Sequence, residues 1–423
     1  MLPCASTGPG AVQGDLAIDG GKIVALGVVA AREDDVEVPC AGRWILPGFV
    51  QPHIHLVQTL FRGLADDMAL MDWLRGRIWP LERAHDVDSV YASARLGVAE
   101  LLTGGTTAVL DMATVSHTGA VFEAAAQAGM RIWCGSAMMD RDNEAGLGTT
   151  TDAAMRIAND LADQWHGRGL ARYAYAPRFV PSCSDELLDG VASEARRRGC
   201  LIHSHASENR DEVALVRELT GLDNIHHLHA HGLTGGDVVL AHCIHLSESE
   251  VETLALTRTR VAHCPSSNQK LASGLCAVPE LIARGVHVSL AADGAPCNNR
   301  LDAFAEMRLA ALLQSTRLGA GALPARIVLR MATARGAEAL GFPGGVLAPG
   351  NVADLVVLDP DVIWSGGDPA STVVYTMDPR AVRQTWVAGR KVAEDGRVLG
   401  WDSAETADLC RASLGRVRAR AGL

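Results

Sequence analysis

Positive charge is in short supply in this sequence. Lys and Arg together number 38, against 49 Asp and Glu, which gives a formal net charge of −11. Proteins that bind nucleic acid rely on clustered Lys and Arg to meet the phosphate backbone. The charge balance therefore argues against a nucleic-acid partner, and a small molecule is the expected ligand.

Long apolar runs and paired cysteines are missing as well. A membrane-spanning helix needs about 20 consecutive apolar residues, and the chain has no such run. Residues 1–6 contain neither the basic stretch nor the apolar core of a secretory signal. The ten cysteines include no Cys-x-x-Cys pair, so neither a disulfide framework nor a zinc finger is expected. We therefore expect no membrane association and a location in the reducing cytoplasm.

The middle of the chain alternates between two kinds of apolar pattern. Helical patterns such as 89–103, 118–129, 185–198 and 247–257 separate short apolar segments that are typical of buried strands. The expected strands are 44–56, 106–113, 131–139, 170–179, 200–207, 238–244, 260–265 and 287–293. Eight strands alternating with helices predict an α/β fold, a (β/α)₈ TIM barrel. A doubly wound open sheet is the alternative, but no Gly-rich dinucleotide fingerprint follows the first strand.

The sequence pattern at both ends of the chain differs from that of the middle and is typical of short antiparallel strands. Residues 14–27 resemble a hairpin of two short strands around an Asp-Gly-Gly turn. Near the other end, 352–359 and 384–392 also have the character of strands, after a Pro/Gly cluster at 343–350. We expect one small β-sandwich domain built from residues 1–46 and 343–423, with the barrel formed by 47–342.

Potential metal ligands fall where the predicted strands end. His53 and His55 lie two residues apart, so in a strand both imidazoles point to the same side. His205, His242 and Asp293 follow other predicted strands, and barrel enzymes carry their catalytic groups at these carboxyl ends. Any one histidine alone could be a core residue. Their joint occurrence indicates a site for zinc, or for iron(II) as the alternative.

Five stretches together resemble the amidohydrolase superfamily, and within it the mononuclear aminohydrolases. These stretches are PGFVQPHIHL, HSHASE, AHCIHL, AHCPSSNQKLASG and ADGAPCNNRLDAFAEMRLAALLQ. That branch includes guanine deaminase, the S-adenosylhomocysteine and 5′-deoxyadenosine deaminases, and the triazine hydrolases. The resemblance implies roles for six residues. It makes His53, His55, His205 and Asp293 metal ligands, Asp293 also a proton acceptor, Glu208 the proton shuttle and His242 the catalytic histidine.

The scarcity of lysine bears on the number of metals. Binuclear amidohydrolases bridge two metals with a modified lysine at a strand end. This chain has Lys22, Lys270 and Lys391 only, and none of them stands at a predicted barrel strand end. The resemblance therefore implies one divalent metal ion per chain.

The resemblance also implies the reaction, and the substrate less sharply. It predicts a hydrolase that removes the exocyclic amino group of a purine base or nucleoside and releases ammonia. Gln58 and the pair Arg178-Phe179 resemble the base-binding residues of guanine deaminase, whereas Trp73 and Glu82 fit nucleoside deaminases as well. Trp73 could instead pack in a lid, and Arg178 could brace a loop through an acidic neighbour.

Other interpretations remain open. The resemblance also covers aminohydrolases or chlorohydrolases of triazines or pterins, and a non-catalytic metal-binding homologue is the alternative from another class. Homodimers are common in the family. We expect His203 and His245 to have structural roles. The histidines at 226, 227, 229 and 231 are expected to lie in a polar exposed segment, with adventitious metal binding as the alternative.

Overall fold

The computed structural model describes residues 13–141, 146–363 and 365–423. Residues 1–6, in which no secretory signal is expected, lie outside these ranges. The strands are β1 Asp15–Asp19, β2 Lys22–Gly27, β3 Trp44–Pro47, β4 Phe49–His55, β5 Thr106–Met112, β6 Arg131–Gly135, β7 Ala137–Met138, β8 Ala171–Pro177, β9 Leu201–Ala206, β10 Val238–His242, β11 Arg260–His263, β12 His287–Leu290, β13 Asp293–Gly294, β14 Leu355–Leu358, β15 Val382–Val387, β16 Arg390–Glu394 and β17 Arg397–Val398.

Helices follow most of the barrel strands. They are α1 Leu70–Trp73, α2 Trp79–Arg83, α3 Val87–Thr103, α4 Gly119–Ala128, α5 Thr151–Trp165, α6 Asp185–Arg198, α7 Arg210–Thr220, α8 Asn224–Ala230, α9 Glu248–Thr257, α10 Pro265–Lys270, α11 Val278–Ala283, α12 Ala295–Asn298, α13 Ala303–Leu318, α14 Ala325–Met331, α15 Ala334–Leu340, α16 Pro369–Tyr375 and α17 Ser403–Ala421. Short 3₁₀ turns lie at Leu56–Phe61, Val180–Ser182, Pro360–Ile363 and Pro379–Ala381, and a π-helical turn at Leu74–Ile78 joins α1 to α2. None of the helices in the described ranges is long and apolar enough to cross a membrane.

Local sequence sets where these helices begin and end. Ser184 precedes α6, and its hydroxyl accepts a hydrogen bond from the backbone N–H of Leu187 at 3.1 Å, which satisfies a donor that the helix itself cannot pair. Gly199 ends the same helix in the left-handed conformation, with φ of 67°, where glycine carries no steric penalty. The helix predicted over 185–198 is confirmed to the residue.

Parallel pairing closes the main sheet into a barrel. The strand order is β12-β11-β10-β9-β8-β6-β5-β4-β13, and β12 and β13 are two parts of the last strand segment. Its first part pairs with β11, and its second part pairs with β4 through Asp293 and Ile54. The side-chain Oε1 of Gln51 adds to this closure by accepting a hydrogen bond from the backbone N–H of Ala292 at 3.0 Å. The predicted (β/α)₈ barrel is confirmed.

The strand expected over 44–56 is divided between two sheets. Trp44–Pro47 pairs antiparallel with β14, whereas Phe49–His55 enters the barrel beside β5. Gly48 stands at the crossing, and a Cβ there would lie 2.2 Å from the side chain of Thr107. Glycine avoids this clash with β5. The single predicted strand is wrong because the pairing partner changes from β14 to β5 at this point.

The two ends of the chain meet in a separate antiparallel sheet. Its strand order is β17-β16-β15-β14-β3, so residues 44–47 pair with strands from beyond residue 354. The hairpin β1-β2 lies beside it and is linked through an isolated bridge between Lys22 and Val352. The expected β structure from both chain ends is confirmed, and the boundaries at 46 and 343 stay a prediction.

The long C-terminal helix α17 was not expected from the sequence, and it packs on the barrel. Arg95 of α3 donates from Nε to the hydroxyl of Thr406 at 2.9 Å. Cys410 and Val417 are buried in a cluster that also contains Leu81 of α2. The last helix therefore supports α2 and α3, which follow the first barrel strand.

Candidate active site

The six residues predicted to do the chemistry lie together at one end of the barrel. His53 and His55 come from β4, His205 from β9, His242 from the end of β10 and Asp293 from β13. Because these strands are parallel, their carboxyl ends meet at the same rim. Glu208 follows β9 by two residues and is only 5% exposed. The strand-end pattern of the sequence therefore corresponds to one buried cluster.

Hydrogen bonds fix which nitrogen of His53 faces the cluster. His203 donates from Nδ1 to the carbonyl of Val239 at 2.9 Å, so its Nε2 is the acceptor in the neutral ring. His53 Nδ1 lies 2.8 Å from that Nε2 and is therefore the donor. This leaves a lone pair on His53 Nε2, which is buried without a hydrogen-bond partner. His203 thus has the structural role expected for it.

Backbone carbonyls orient the other two histidines in the same way. His55 donates from Nδ1 to the carbonyl of Met112 at 2.7 Å, and His205 donates from Nδ1 to that of Arg178 at 2.7 Å. Their Nε2 atoms face each other at 3.2 Å. Two acceptor nitrogens at this distance cannot hydrogen-bond, because neither carries a proton. Both lone pairs are therefore available to a cation between them.

Distances and charge state both suit a metal ion. Asp293 Oδ1 lies 3.2 Å from His53 Nε2 and 3.4 Å from His55 Nε2. Bonds of about 2.0–2.1 Å to a tetrahedral zinc place neighbouring ligand atoms about 3.3–3.4 Å apart. Burial lowers the pKa of His55 to about 4, so its imidazole is neutral at pH 7 and free to bind. These four side chains can hold one divalent metal.

The segment after β11 positions two members of the cluster, and we did not assign it from the sequence. Ser267 donates to Asp293 Oδ2 at 2.6 Å, and Asn268 Oδ1 accepts from His242 Nδ1 at 2.8 Å. Asp293 and His242 have φ values of 64° and 71°, a conformation that non-glycine residues rarely adopt and that often marks functional sites. Both serines and the asparagine of Cys-Pro-Ser-Ser-Asn were in the matched motif, but spacing alone gave them no role.

Glu208 and His242 form a second pair beside the ligand cluster. His242 Nε2 lies 3.5 Å from Glu208 Oε2 and 3.8 Å from Asp293 Oδ2. Burial raises the pKa of Glu208 to about 7. Burial alone would lower the pKa of His242, but the adjacent carboxylates of Glu208 and Asp293 outweigh it and raise that pKa above its usual value. Two titratable groups with raised pKa values thus stand side by side, an arrangement that is common in active sites.

A cavity opens onto this cluster, and most of the predicted substrate-binding residues line it. Gln58, Trp73, Arg178 and Phe179 share its wall with His55, His205, Glu208, His242 and Asp293. Leu70, Leu74 and Leu271 complete an apolar side. A flat heteroaromatic ring suits such a pocket, which combines aromatic faces with a few polar groups.

Glu82 is the predicted substrate residue that does not line the cavity. It lies behind the wall, 2% exposed, and it accepts hydrogen bonds from Arg178 at 2.7 and 3.2 Å, Gln58 at 2.7 Å and Thr114 at 3.1 Å. Burial opposes its charge, but the guanidinium of Arg178 holds the pKa of Glu82 below its usual value. Arg178 therefore has the acidic neighbour that the bracing alternative requires.

The chain matches the amidohydrolase family over residues 44–392. The chain belongs to this family. It is 38% identical to a 5′-deoxyadenosine deaminase of Methanothermobacter thermautotrophicus over 396 residues, covering 91% of this chain and 90% of the relative. It is also 38% identical to a 5-methylthioadenosine/S-adenosylhomocysteine deaminase of Syntrophobacter fumaroxidans over 413 residues, covering 95% and 92%.

A solved structure of a related enzyme has the same fold as this chain. The adenosine deaminase from Xanthomonas campestris, crystallised with bound zinc, superposes with a TM-score of 0.87 at 30% identity, covering 96% of this chain and 93% of that one. The resemblance drawn from the sequence is confirmed. As an amidohydrolase with deaminase relatives, the chain is a hydrolase that acts on carbon–nitrogen bonds.

Proposed function

We propose that this amidohydrolase removes the exocyclic amino group of an adenine nucleoside altered at its 5′ position, and that it releases ammonia. Two relatives named as deaminases of such nucleosides support this substrate class, because each aligns with at least nine-tenths of this chain and of its own length. The observation that carries the chemistry is the buried Glu208, whose pKa of about 7 suits proton transfer at neutral pH.

The proposal assigns the metal to His53, His55, His205 and Asp293, with zinc as the ion. Neutral imidazoles and a carboxylate form a donor set that zinc favours, and the unpartnered Nε2 of His53 fits such a ligand. When bound, the metal lowers the pKa of a water molecule toward about 7 and so supplies a nucleophile at neutral pH.

The residues of the chain then handle the protons. Asp293 Oδ2 is the proposed acceptor of the second proton that the attacking oxygen loses, after Glu208 has taken the first, and Ser267 keeps Oδ2 in place at 2.6 Å. His242 is held through Nδ1 by Asn268, so its Nε2 points between Glu208 and Asp293. From there it can orient the incoming oxygen by hydrogen bonding.

Glu208 is the proposed shuttle between water and substrate. As a carboxylate it takes up the first proton of the attacking water, and as an acid it delivers that proton to a ring nitrogen while the oxygen adds to the adjacent carbon. The second proton of the water, accepted by Asp293, passes to the amino group, and the carbon–nitrogen bond breaks as the added oxygen becomes a carbonyl and ammonia departs. Ser273 donates to Glu208 Oε1 at 3.1 Å, which leaves Oε2 on the side of His242.

The cavity wall is proposed to bind the heterocycle. Phe179 and Trp73 offer aromatic faces, and Gln58 and Arg178 are the polar members of the same wall. Glu82 reaches the substrate only through Gln58 and Arg178. A guanine-type base is the second candidate, because the donors of Arg178 on the wall would suit an oxo group.

Ammonia release from a substrate panel tests the proposal. The zinc-loaded enzyme should be assayed with 5′-deoxyadenosine, 5′-methylthioadenosine, S-adenosylhomocysteine, adenosine, guanine, cytosine and melamine. We expect the highest kcat/KM among the first three. Turnover of melamine alone would favour a triazine hydrolase, and no turnover at all would favour the non-catalytic homologue.

We also propose that the protein is a homodimer in the cytoplasm. Sedimentation equilibrium would establish the dimer, and fractionation of cells that express the full chain would establish the location. A monomer at micromolar concentration, or recovery of the protein outside the cytoplasm, would contradict the corresponding statement.

A further inference from the structure

A second group of potential metal ligands lies on the helices around the barrel. The histidine-rich segment forms α8 and was expected to be polar and exposed, which is wrong for His227, since it is 3% exposed. The helix turns this side chain toward Asp185, the first residue of α6. His231 follows one turn later, and the two imidazole centroids are 4.6 Å apart.

The ligand atoms of the three side chains converge. His227 Nε2 lies 3.4 Å from Asp185 Oδ1, and His231 Nε2 lies 3.8 Å from Asp185 Oδ2. All three ligand atoms lie within 4.8 Å of one another. Histidines at positions i and i+4 share a helix face, a spacing that places two imidazoles on one metal. The separations are close to those between neighbouring ligands of a zinc ion.

An independent observation concerns the imidazole of His227. Its Nε2 is buried and has no hydrogen-bond partner, although buried polar atoms nearly always have one. A buried, unpartnered imidazole nitrogen that lies 3.4 Å from a carboxylate oxygen is suited to bind a metal.

Two neighbouring side chains affect this group in opposite ways: Asp189 orients His231, whereas the positive charge of Arg141 disfavours a bound cation. Asp189 accepts a hydrogen bond from His231 Nδ1 at 2.8 Å, the carboxylate–histidine arrangement that orients metal-binding imidazoles and leaves Nε2 free. Arg141 is the competitor, because its Nη2 lies 3.8 Å from Asp185 Oδ1. A cation at this site would have to share Asp185 with a guanidinium.

We propose that Asp185, His227 and His231 bind a divalent transition-metal ion of the zinc or cobalt class, separately from the catalytic centre. Three protein ligands leave at least one coordination position for water. The ion joins the start of α6 to α8, and α6 follows the loop that carries Arg178 and Phe179.

Calorimetric titration of the full-length enzyme with ZnCl₂ or CoCl₂ tests this site. The catalytic metal is loaded first and the excess is removed by gel filtration, so that only further binding is measured. We expect one additional equivalent. His231→Gln should weaken its binding at least tenfold, and Asp189→Asn should weaken it by about ten- to a hundredfold. Both variants should release ammonia from substrate at the wild-type rate.

Two further variants make the test specific. His226→Gln changes a histidine of the same helix that is not among the three proposed ligands, and it should leave the additional binding unchanged. Arg141→Gln removes the competing cation and should tighten the binding. The proposal is overturned if no additional equivalent binds at up to about 1 mM metal, or if His231→Gln binds it as tightly as the wild type while its circular dichroism is unchanged.

Discussion

The buried pair Arg178–Glu82 allows a quantitative test of how the cavity wall is held. Both side chains are 5% exposed or less, and two hydrogen bonds of 2.7 and 3.2 Å join them. Replacing Arg178 with Met leaves the Glu82 carboxylate buried with only Gln58 and Thr114 as donors. Removing one member of such a pair costs about 3–5 kcal/mol of the free energy of unfolding, because the remaining charge is uncompensated.

The double variant separates this cost from simple loss of packing. Glu82→Gln with Arg178→Met removes both charges, and replacement of a complete buried pair is often neutral. We expect each single variant to cost about 3–5 kcal/mol and the double variant to lie within about 2 kcal/mol of the wild type, which gives a coupling energy of at least about 4 kcal/mol. Urea unfolding followed by tryptophan fluorescence, at fixed zinc concentration, measures the free energy of unfolding of the wild type, the two single variants and the double variant, which together form a double-mutant cycle.

A surface pair provides the matched control. Arg326 and Asp368 form an ion pair in which the side chains are 58% and 36% exposed. Arg326→Met should cost no more than about 1 kcal/mol, since exposed pairs contribute little. If Arg178→Met costs as little as this control, or if the cycle shows no coupling, the bracing role of Arg178 is refuted.

The same variant bears on substrate choice. If Arg178 also selects an oxo group, Arg178→Met should change the ratio of kcat/KM for an oxopurine to that for its adenine counterpart. If Arg178 acts only as the brace, kcat/KM should fall for both substrates and their ratio should stay constant. An unchanged ratio would remove the main support for a guanine-type substrate.

Four further outcomes are expected. After dialysis against a weak chelator the wild-type chain should retain one tightly bound metal, and His205→Ala should retain none; elemental analysis showing retention in the variant would exclude His205 as a ligand. Glu208→Gln should keep that metal but lose turnover by at least about a hundredfold, and a near wild-type rate would rule out the shuttle. Because the carboxylate form of Glu208 starts the cycle, kcat/KM should fall as the pH drops below the pKa of Glu208, which burial raises to about 7 and a bound cation lowers from there; a kcat/KM that rises as the pH falls from 8 to 5 would contradict this. Deleting residues 343–423 should give insoluble protein, because it exposes apolar surface on the barrel; a soluble and active truncation would contradict it.

Sequence reasoning succeeded where local pattern and topology agree. His53, His55, His205 and Asp293 could be placed together because each ends an apolar segment, and the ends of parallel strands share one rim. Helices such as α6 were found because their caps and apolar spacing are encoded within one stretch of chain. The same reasoning predicted antiparallel β structure built from both ends of the chain, since both carry short strands around tight turns.

The parts that were missed depend on distant partners. Arg178 and Glu82 are 96 residues apart, and nothing near either residue indicates that each neutralises the other. Asn268 and Ser267 act on side chains of other strands, so their own surroundings look like a turn. Helix α17 buries few large side chains, and the spacing of Cys410 and Val417 does not predict a helix face that packs on the barrel. The division at Gly48 follows from the change of pairing partner from β14 to β5, which the local sequence does not encode.

The closure of the barrel through β4 and β13 has a consequence for how the protein is made. Gln51 and Ala292, which join at the seam, are separated by 241 residues, and the proposed ligands His53 and Asp293 lie on its two sides. Ribosomes add about 5–20 residues per second, so about 12–48 s pass between the synthesis of His53 and that of Asp293. Under the proposed ligand assignment, a nascent chain therefore has no complete metal site until both sides of the seam have been synthesised.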